Sequence, residues 1–519
     1  MNAQAPDARS VRGPVLDVIL ILAVVVALRL PAFGLSVIDW DESIYALVAR
    51  SILEGLWPFQ GVFDHKPAAL YELFALAFWI GGDRPAVTHA VGLVAVAVTA
   101  LGMYHILTRP FGLARRGAVT LTLCYVVAIG GLGGLASNTE VIVNAYAVIW
   151  TAAALAGVRR GYVAPVVTGF AMAAAFHTNY LTGVLMVGFA VGFLAYSLMR
   201  AEAGLAAALR RYTVFGTLAL AAFLAGSALI LAPIAIYADV GQYWQEQWAY
   251  LTRYAPSSAS IGALLSGLEQ TAIITLLGVL TVALLGLAMA RGEAGRREAA
   301  PVVFGLCMLA AGMAAYVATW RFFPHYLIYA VLFGMLTLGS AVAMVRPTRD
   351  AAALVLVAVA AVSLHVGAGA VYTYGRVAVN AVLMAHGKPP VRDPARVVAA
   401  AASPYFEADQ RLYVLLAEPV LYQLLDGTPA TRYAFYRHHA VPELTAVTGV
   451  DTGEEIDRIF STPPAMVILG ACDPAAGCEV RPEDYASVLE KLRSLGYDRV
   501  QTVLSGTRDE TTIYVRPGS

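Results

Sequence analysis

The chain has 519 residues, of which 59% are hydrophobic and 13% charged, and its 35 basic side chains balance its 35 acidic ones. A soluble domain usually carries about 25% charged residues, so this composition excludes a soluble globular fold. No Lys/Arg-rich block with interleaved aromatics is present, which removes the electrostatic footprint of a nucleic-acid binder.

The first apolar run, Pro14 to Phe33, follows Arg9 and Arg12 and has the outline of a signal peptide. It ends in Leu30-Pro31-Ala32-Phe33-Gly34, without a small-residue cleavage site, and many more spans follow, so we read it as a retained first helix. Runs able to cross a hydrocarbon core of about 30 Å then recur near 85–107, 117–134, 141–158, 161–177, 180–199, 214–236, 264–290, 301–320, 326–345 and 350–374, for eleven spans in all. A further run, Pro67 to Gly82, is short and carries Glu72, and fits either a short span or a helix lying in the interface.

Arginines decide between these, because short cytoplasmic loops accumulate Lys and Arg. If Pro67–Gly82 does not cross, Arg9, Arg12, Arg109, Arg115, Arg116, Arg159, Arg160, Arg200, Arg210, Arg211, Arg291, Arg296, Arg297, Arg346 and Arg349 all fall on one side. The opposite connections, up to the end of the last span, hold Arg50, Lys66, Arg84, Arg253 and Arg321. This predicts a multi-pass membrane protein with a cytoplasmic N-terminus. Residues 1–380 form its membrane domain, 34–84 a long outer loop with interfacial helices, and 381–519 an extracytoplasmic α/β domain. In that tail, strand-like runs at Leu412–Leu416, Ala465–Leu469 and Thr512–Val515 accompany a helical stretch at Glu483–Leu495. Cys472 and Cys478 are candidates for a small-loop disulfide in an oxidising space, while Cys124 and Cys307 lie in apolar runs as core thiols.

With this topology the unusual polar strings all fall in outer connections. They are Asp39-Trp40-Asp41-Glu42-Ser43-Ile44-Tyr45, Asp64-His65-Lys66-Pro67, Ser137-Asn138-Thr139-Glu140, His177-Thr178-Asn179-Tyr180 and Arg321-Phe322-Phe323-Pro324-His325-Tyr326. Ionisable groups at a membrane boundary are costly unless paired or wet, which marks such strings as functional candidates. Each also has a plainer reading. Asp41 and Glu42 open an amphipathic stretch, where a carboxylate serves either as a helix cap or as general base to an acceptor hydroxyl. Lys66 is either a snorkelling lysine or the cation on a leaving phosphate, a task that suits its compact, mobile ammonium. Arg321 and His325 fit phosphate contact or interfacial anchoring, and Arg29 fits phosphate contact or snorkelling. Glu140 begins a span, where a carboxylate also suits the helix dipole. His177 and Asn179 read as structural polar residues at a helix end. No Walker A, G-x-G-x-x-G, H-E-x-x-H or G-x-S-x-G motif opens a route to nucleotide-driven transport or serine-type hydrolysis.

Taken in order, these strings resemble the GT-C glycosyltransferases. The likeness is to bacterial relatives of the protein O-mannosyltransferases and of the lipid A aminoarabinose transferase, glycosyltransferase families 39 and 83. It rests on Trp40-Asp41-Glu42-x-x-Tyr45, Asp64-His65-Lys66-Pro67-x-x-x-Tyr71, Asn138-Thr139-Glu140 and Phe323-Pro324-His325-Tyr326. The resemblance implies an inverting enzyme that moves a hexosyl or pentosyl group from a polyprenyl-phosphate donor to a lipid, glycan or protein acceptor at the outer face. It implies Asp41 as catalytic base with Glu42 beside it, Glu140 as a second acidic residue shaping the acceptor site, and Lys66 as stabiliser of the departing lipid phosphate. His65, Arg321, His325 and Arg29 would be further donor-phosphate contacts. Asp64, His65, Asn138 and Tyr45 would support the site or hold a divalent cation, whose use varies in the superfamily. The chain departs from the pattern at His177-Thr178-Asn179, where relatives often show a lysine-containing pair. Its tail, with Tyr422, Arg432 and Tyr433, resembles the relatives' outer domain. The competing reading is a transporter or flippase of polyprenyl-linked sugars or lipids. That would place ionisable groups or broken helices near the bilayer centre in two repeated halves, and no such repeat is evident.

Overall fold

The computed structural model describes residues 8–156, 161–202, 204–254, 265, 267–268, 270–292, 295–318, 320–472 and 477–518. Arg159 and Arg160, and the side chains of Arg9 and Arg12, lie outside the described residues. The helices up to the tail are α1 (Ala8–Arg29), α2 (Trp40–Leu53), α3 (Ala68–Gly81), α4 (Pro85–Thr108), α5 (Arg115–Ile129), α6 (Thr139–Ala156), α7 (Val163–Phe176) and α8 (Thr182–Met199). There follow α9 (Leu205–Tyr237), α10 (Val240–Tyr254), α11 (Ala272–Ala290), α12 (Arg296–Ala318), α13 (Leu327–Val345), α14 (Arg349–Gly367) and α15 (Ala370–Ala385).

Among the described residues ten helices are long and apolar enough to cross a membrane: α1, α4, α5, α6, α8, α9, α11, α12, α13 and α14. The run at 161–177 departs from the expected eleven. Its helix, α7, has 14 residues, about 21 Å at 1.5 Å per residue, against a core of about 30 Å. Gly161, with φ at +60°, precedes it, and His177 caps its end. α3 is equally short and exposes Leu76, Trp79 and Ile80, while Leu70, Tyr71, Phe74 and Phe78 are buried.

By contact the chain divides into two units, the first comprising Met1–Leu30, Val91–Ile230 and Pro256–Tyr372. Its centre is α13, apolar all round and buried along nearly its whole length, with α5, α6, α11 and α12 packed against it. Small residues let these backbones approach: a Cβ on Gly312 would stand 3.0 Å from the Ala330 backbone. Asn144 ties the bundle by donating to Tyr125 Oη and to the Ile328 carbonyl, each at 3.0 Å.

α5 breaks at its end into a wide turn over Gly130–Gly134, where Gly133 takes φ +81°. Gly131 must lack a side chain there, since a Cβ would meet the Val366 carbonyl oxygen at 1.8 Å. A break of this kind leaves carbonyls without helical partners. The buried Arg29 supplies them, donating to Gly134 O and, at 2.9 Å, to Leu135 O.

The second unit comprises Pro31–Ala90, Leu231–Ala255 and Thr373–Ser519. Its tail holds a five-stranded sheet in the order β2-β1-β3-β5-β4, with β1 (Arg411–Leu415), β2 (Thr428–Pro429), β3 (Met466–Gly470), β4 (Asp498–Val503) and β5 (Thr511–Val515). β1 is parallel to β2 and β3, while β5 runs antiparallel to β3 and β4. β3 is buried at every position, as its unbroken apolar sequence requires. Helices Thr452–Ser461 and Pro482–Ser494 close a core around Tyr413, Ile459, Phe460, Val467, Leu469, Val488 and Leu492. The three expected strands and the expected helix are present within a residue or so of their predicted bounds, and Cys472 is bonded to Cys478.

Replacing Arg29 with Met keeps the apolar stem and removes the donors. Each buried carbonyl left unmet costs about 1–3 kcal/mol, so the variant's thermal midpoint in detergent should fall clearly. An unchanged midpoint would show that these carbonyls do not depend on Arg29.

Candidate functional site

Unit 2 holds Asp41, Glu42, Tyr45, Asp64, His65 and Lys66. α2 begins among the acidic residues for a local reason: Asp39 is its N-cap and accepts the Asp41 N–H at 3.2 Å. The two carboxylates that follow differ in setting. Glu42 is buried, accepts the Ile38 N–H at 2.6 Å, and lies 3.6 Å from His89 Nδ1, whose ring is also buried. Asp41 is only half-buried, and Tyr45, one helical turn on, donates to its Oδ2 at 3.2 Å. Of the pair, Asp41 is the more exposed carboxylate, and Glu42 holds the helix entry.

The Asp64–Lys66 segment is ordered by aromatic side chains. Tyr71 Oη donates to Asp64 Oδ2 at 2.8 Å and accepts the Lys66 N–H at 2.9 Å, which accounts for the Asp-His-Lys-Pro-x-x-x-Tyr spacing. Gln247 donates to the Lys66 carbonyl at 3.0 Å, and Tyr243 accepts the Ala68 N–H at 3.2 Å. The His65 ring stacks on Tyr250 with centroids 4.2 Å apart, and its Nδ1 lies 3.0 Å from Asp64 Oδ1. Burial opposes the charge on Asp64, yet His65 and the neighbouring Lys66 outweigh it and hold the carboxyl well below the usual carboxylate range.

His438, from the tail, joins this cluster. It is buried, and its ring stands edge-on to Phe63 at 5.3 Å and to His65 at 6.2 Å. Burial lowers its pKa to about 3 against the pull of Asp64 and Asp41, so the imidazole is neutral at physiological pH. The ligand atoms of Asp64, His65 and His438 all lie within 4.8 Å of one another, a spacing that one cation can bridge. Nearby, Arg432 donates to Glu246 at 2.5 Å and lies over the Phe63 and Tyr433 rings, and Phe63 N–H donates to the Arg432 carbonyl at 2.7 Å. Tyr422 is buried at the sheet, where its hydroxyl accepts the Val414 N–H.

Two of these parts escaped the sequence reading. One is α10, which buries Tyr243, Gln247 and Tyr250 and exposes Trp244, Trp248 and Leu251. Its aromatic and polar residues give it no hydropathy signal, although the repeat at i, i+4 and i+7 was there to find. The other is His438. His438-His439 lies in an aromatic string, but nothing in the tail's own sequence pointed to a loop nearly four hundred residues earlier.

Unit 1 holds Arg29, Asn138, Glu140, Arg321 and His325. Glu140 is buried at the start of α6, and its Oε1 accepts from Thr139 Oγ1 and Asn179 Nδ2, each at 2.9 Å. Asn179, in the string His177-Thr178-Asn179, thus has a definite partner in Glu140. Asn138 is buried beside Glu140 in the chain, and His177 is buried with its ring edge-on to Phe176. A Cβ on Gly133 would lie 3.5 Å from His325 Cβ, so His325 packs over the break after α5. The ring of His325 stacks on Phe323 at 5.5 Å, and Arg321 is half-buried just before it. Arg29 has at least two of its donors on main-chain carbonyls, as described above.

No protein-family model matches the chain, and no curated protein matches it in sequence. Among solved structures, ArnT from Cupriavidus metallidurans bound to undecaprenyl phosphate is similar over 97% of this chain and 98% of that one, with a TM-score of 0.57 and 13% identity. The apo state of the same protein is similar over 96% and 97%, with a TM-score of 0.58 and 13% identity. At that identity the likeness shows the fold alone: among the described residues, ten helices long and apolar enough to cross a membrane, with a C-terminal α/β domain.

Tyr71→Phe removes one hydroxyl that serves both Asp64 and the Lys66 backbone. Loss of a hydrogen bond to a buried charge costs about 1.5–3 kcal/mol, so thermal stability should drop. Wild-type stability in this variant would show that Asp64 is held without Tyr71.

Proposed function

We propose that the chain is an inverting glycosyltransferase that moves a sugar from a polyprenyl-phosphate donor to a hydroxyl of an envelope lipid, glycan or protein. The reading is carried by the half-buried Asp41, steadied by Tyr45, in the same unit as the ordered Asp64-His65-Lys66 segment. The fold adds support, since a solved structure of that fold holds undecaprenyl phosphate. Asp41 takes the proton of the acceptor hydroxyl. The freed oxygen attacks the anomeric carbon, and the bond from that carbon to the phosphate oxygen breaks. Polyprenyl phosphate leaves with the electron pair, its added charge met by Lys66.

The cluster fits a divalent cation. Asp64 supplies a carboxylate and His65 and His438 supply imidazoles, and the buried His438 Nδ1 has no hydrogen-bond partner among the described residues. Mixed His and carboxylate ligands suit zinc. A bound ion would add fixed positive charge beside Lys66. The arginine pattern supports this chemistry lying outside the cytoplasm, with α7 counted as crossing despite its length.

Purified protein given a polyprenyl-phosphate sugar and candidate acceptors should release polyprenyl phosphate. Asp41→Asn should abolish release with its thermal midpoint kept, and unchanged turnover in that variant would remove the base assignment. Metal analysis after zinc dialysis should find about one ion per chain, lost in His438→Ala; equal zinc in both proteins would exclude this ligand set. A reporter fused after residue 400 should read as extracytoplasmic.

A further inference from the structure

Trp40 stands one residue before Asp41, and the chemistry above leaves it without a task. Its indole Nε1 donates to Glu418 Oε1 at 2.8 Å. The ring meets Phe435 edge-on at 5.6 Å, tilts against Tyr436 at 5.9 Å, and has the Arg437 guanidinium over its face at 5.6 Å. Tyr436 and Arg437 are in turn held by Glu479, at 2.9 Å and 3.1 Å.

The sheet explains why a receptor exists at this place. From β1 the chain passes to β2 on one side, and β3 then joins β1 on the other, so the direction of winding reverses between β1 and β3. In open α/β sheets the crevice beyond the carboxyl ends of such a strand pair is where a ligand binds. Here β1 ends at Leu415, Glu418 follows three residues later, and β3 ends at Gly470. Gly470 comes so close that a Cβ would stand 2.0 Å from the Leu416 carbonyl oxygen. Trp40 packs against the tail's core together with Leu416 and Tyr485, and Tyr485 Oη donates to Gly470 O at 3.2 Å.

We propose that the switch-point crevice of the tail domain takes Trp40 of its own chain as its ligand, and that this grip positions Asp41 for proton abstraction. The proposal rests on the reading of Asp41 as the base. Three neighbours of Asp41 are each fixed to a different structure: Asp39 caps α2, Trp40 is held by the tail, and Glu42 lies against His89. Asp41 is therefore carried on a backbone pinned on both sides, while its side chain is left for substrate. Trp40, Glu418 and Arg437 are positioning residues, since none of them touches a reacting atom.

The test compares Trp40→Phe, Glu418→Ala and Glu418→Gln in the polyprenyl-phosphate release assay, with hydrogen exchange of residues 38–47 as a second readout. A misplacement of about 1 Å costs up to about a hundredfold in rate. We expect kcat to fall about tenfold or more in Trp40→Phe and Glu418→Ala, with the donor KM within about twofold. Glu418→Gln keeps an acceptor oxygen for the indole and should restore most of kcat. Exchange across 38–47 should quicken in Glu418→Ala and not in Glu418→Gln. Wild-type kcat in both Trp40→Phe and Glu418→Ala would overturn the proposal, and so would Glu418→Gln behaving like Glu418→Ala. If wild type releases no polyprenyl phosphate, the glycosyltransferase reading fails on its own. Exchange then decides the grip, and unaltered protection in Glu418→Ala overturns it. Should Glu418→Ala not fold, Trp40→Phe and Glu418→Gln carry the same comparison.

Discussion

A buried charge survives only where its neighbours replace the water it has lost, and in unit 2 that condition centres on Asp64. One of its oxygens is met by Tyr71, the other by His65. Each partner then fixes something else. Tyr71 orders the Lys66 backbone at the start of α3, and His65 is stacked on Tyr250 of α10. His438 stands edge-on to His65, which brings the tail into the same network. Three segments far apart in sequence thus share one electrostatic requirement, and a half-satisfied network of this kind would be worse than an apolar core. Lys66 owes its place to this arrangement, because its backbone is held at both the N–H and the carbonyl.

Unit 1 solves the same problem from the opposite direction. There the main chain creates the demand, when α5 breaks over Gly130–Gly134 and exposes carbonyls inside the bundle. Arg29 answers with a guanidinium whose fixed fork can meet more than one of them. The cost of a charged side chain within a membrane helix is offset because its donors face carbonyl dipoles at a helix C-terminus. Glu140 is handled likewise, with Thr139 and Asn179 donating to one of its oxygens.

How much of this could be read in the sequence follows from the range of each interaction. The spans were legible because hydropathy is a property of contiguous residues, and the tail's strands because their apolar runs are bounded by turns. The strings around Asp41 and Asp64 were legible because ionisable residues are rare in such a composition, and Tyr71 answers Asp64 within two turns. α7 was misjudged in length because an apolar run does not say where the helix within it stops. The role of Arg29 stayed hidden because its partners are backbone carbonyls more than a hundred residues away. The five-residue Gly130-Gly131-Leu132-Gly133-Gly134 string was the one local sign of the break that creates them. His438 and Glu418 were out of reach for a related reason, since only the folded tail brings them to α2 and the Asp64 loop.

Glycosyl transfer from a lipid carrier sets two demands that pull apart. The leaving phosphate needs concentrated positive charge in surroundings poor in water, where each ion–ion contact is strong. The base must remain ionised, and a carboxylate in such surroundings loses its proton less readily. Under the proposed function, unit 2 would separate these demands along the chain. Asp64 and His438 are buried, with Phe63 against the His438 ring and Tyr250 against the His65 ring, surroundings that would suit the phosphate. Asp41 stands half-exposed at a helix N-terminus, with the Tyr45 hydroxyl donating to one of its oxygens. A carboxylate left that open would ordinarily be loosely placed. Its order has to come from the residues flanking it, and Trp40 and Glu42 are the two that reach structures outside α2.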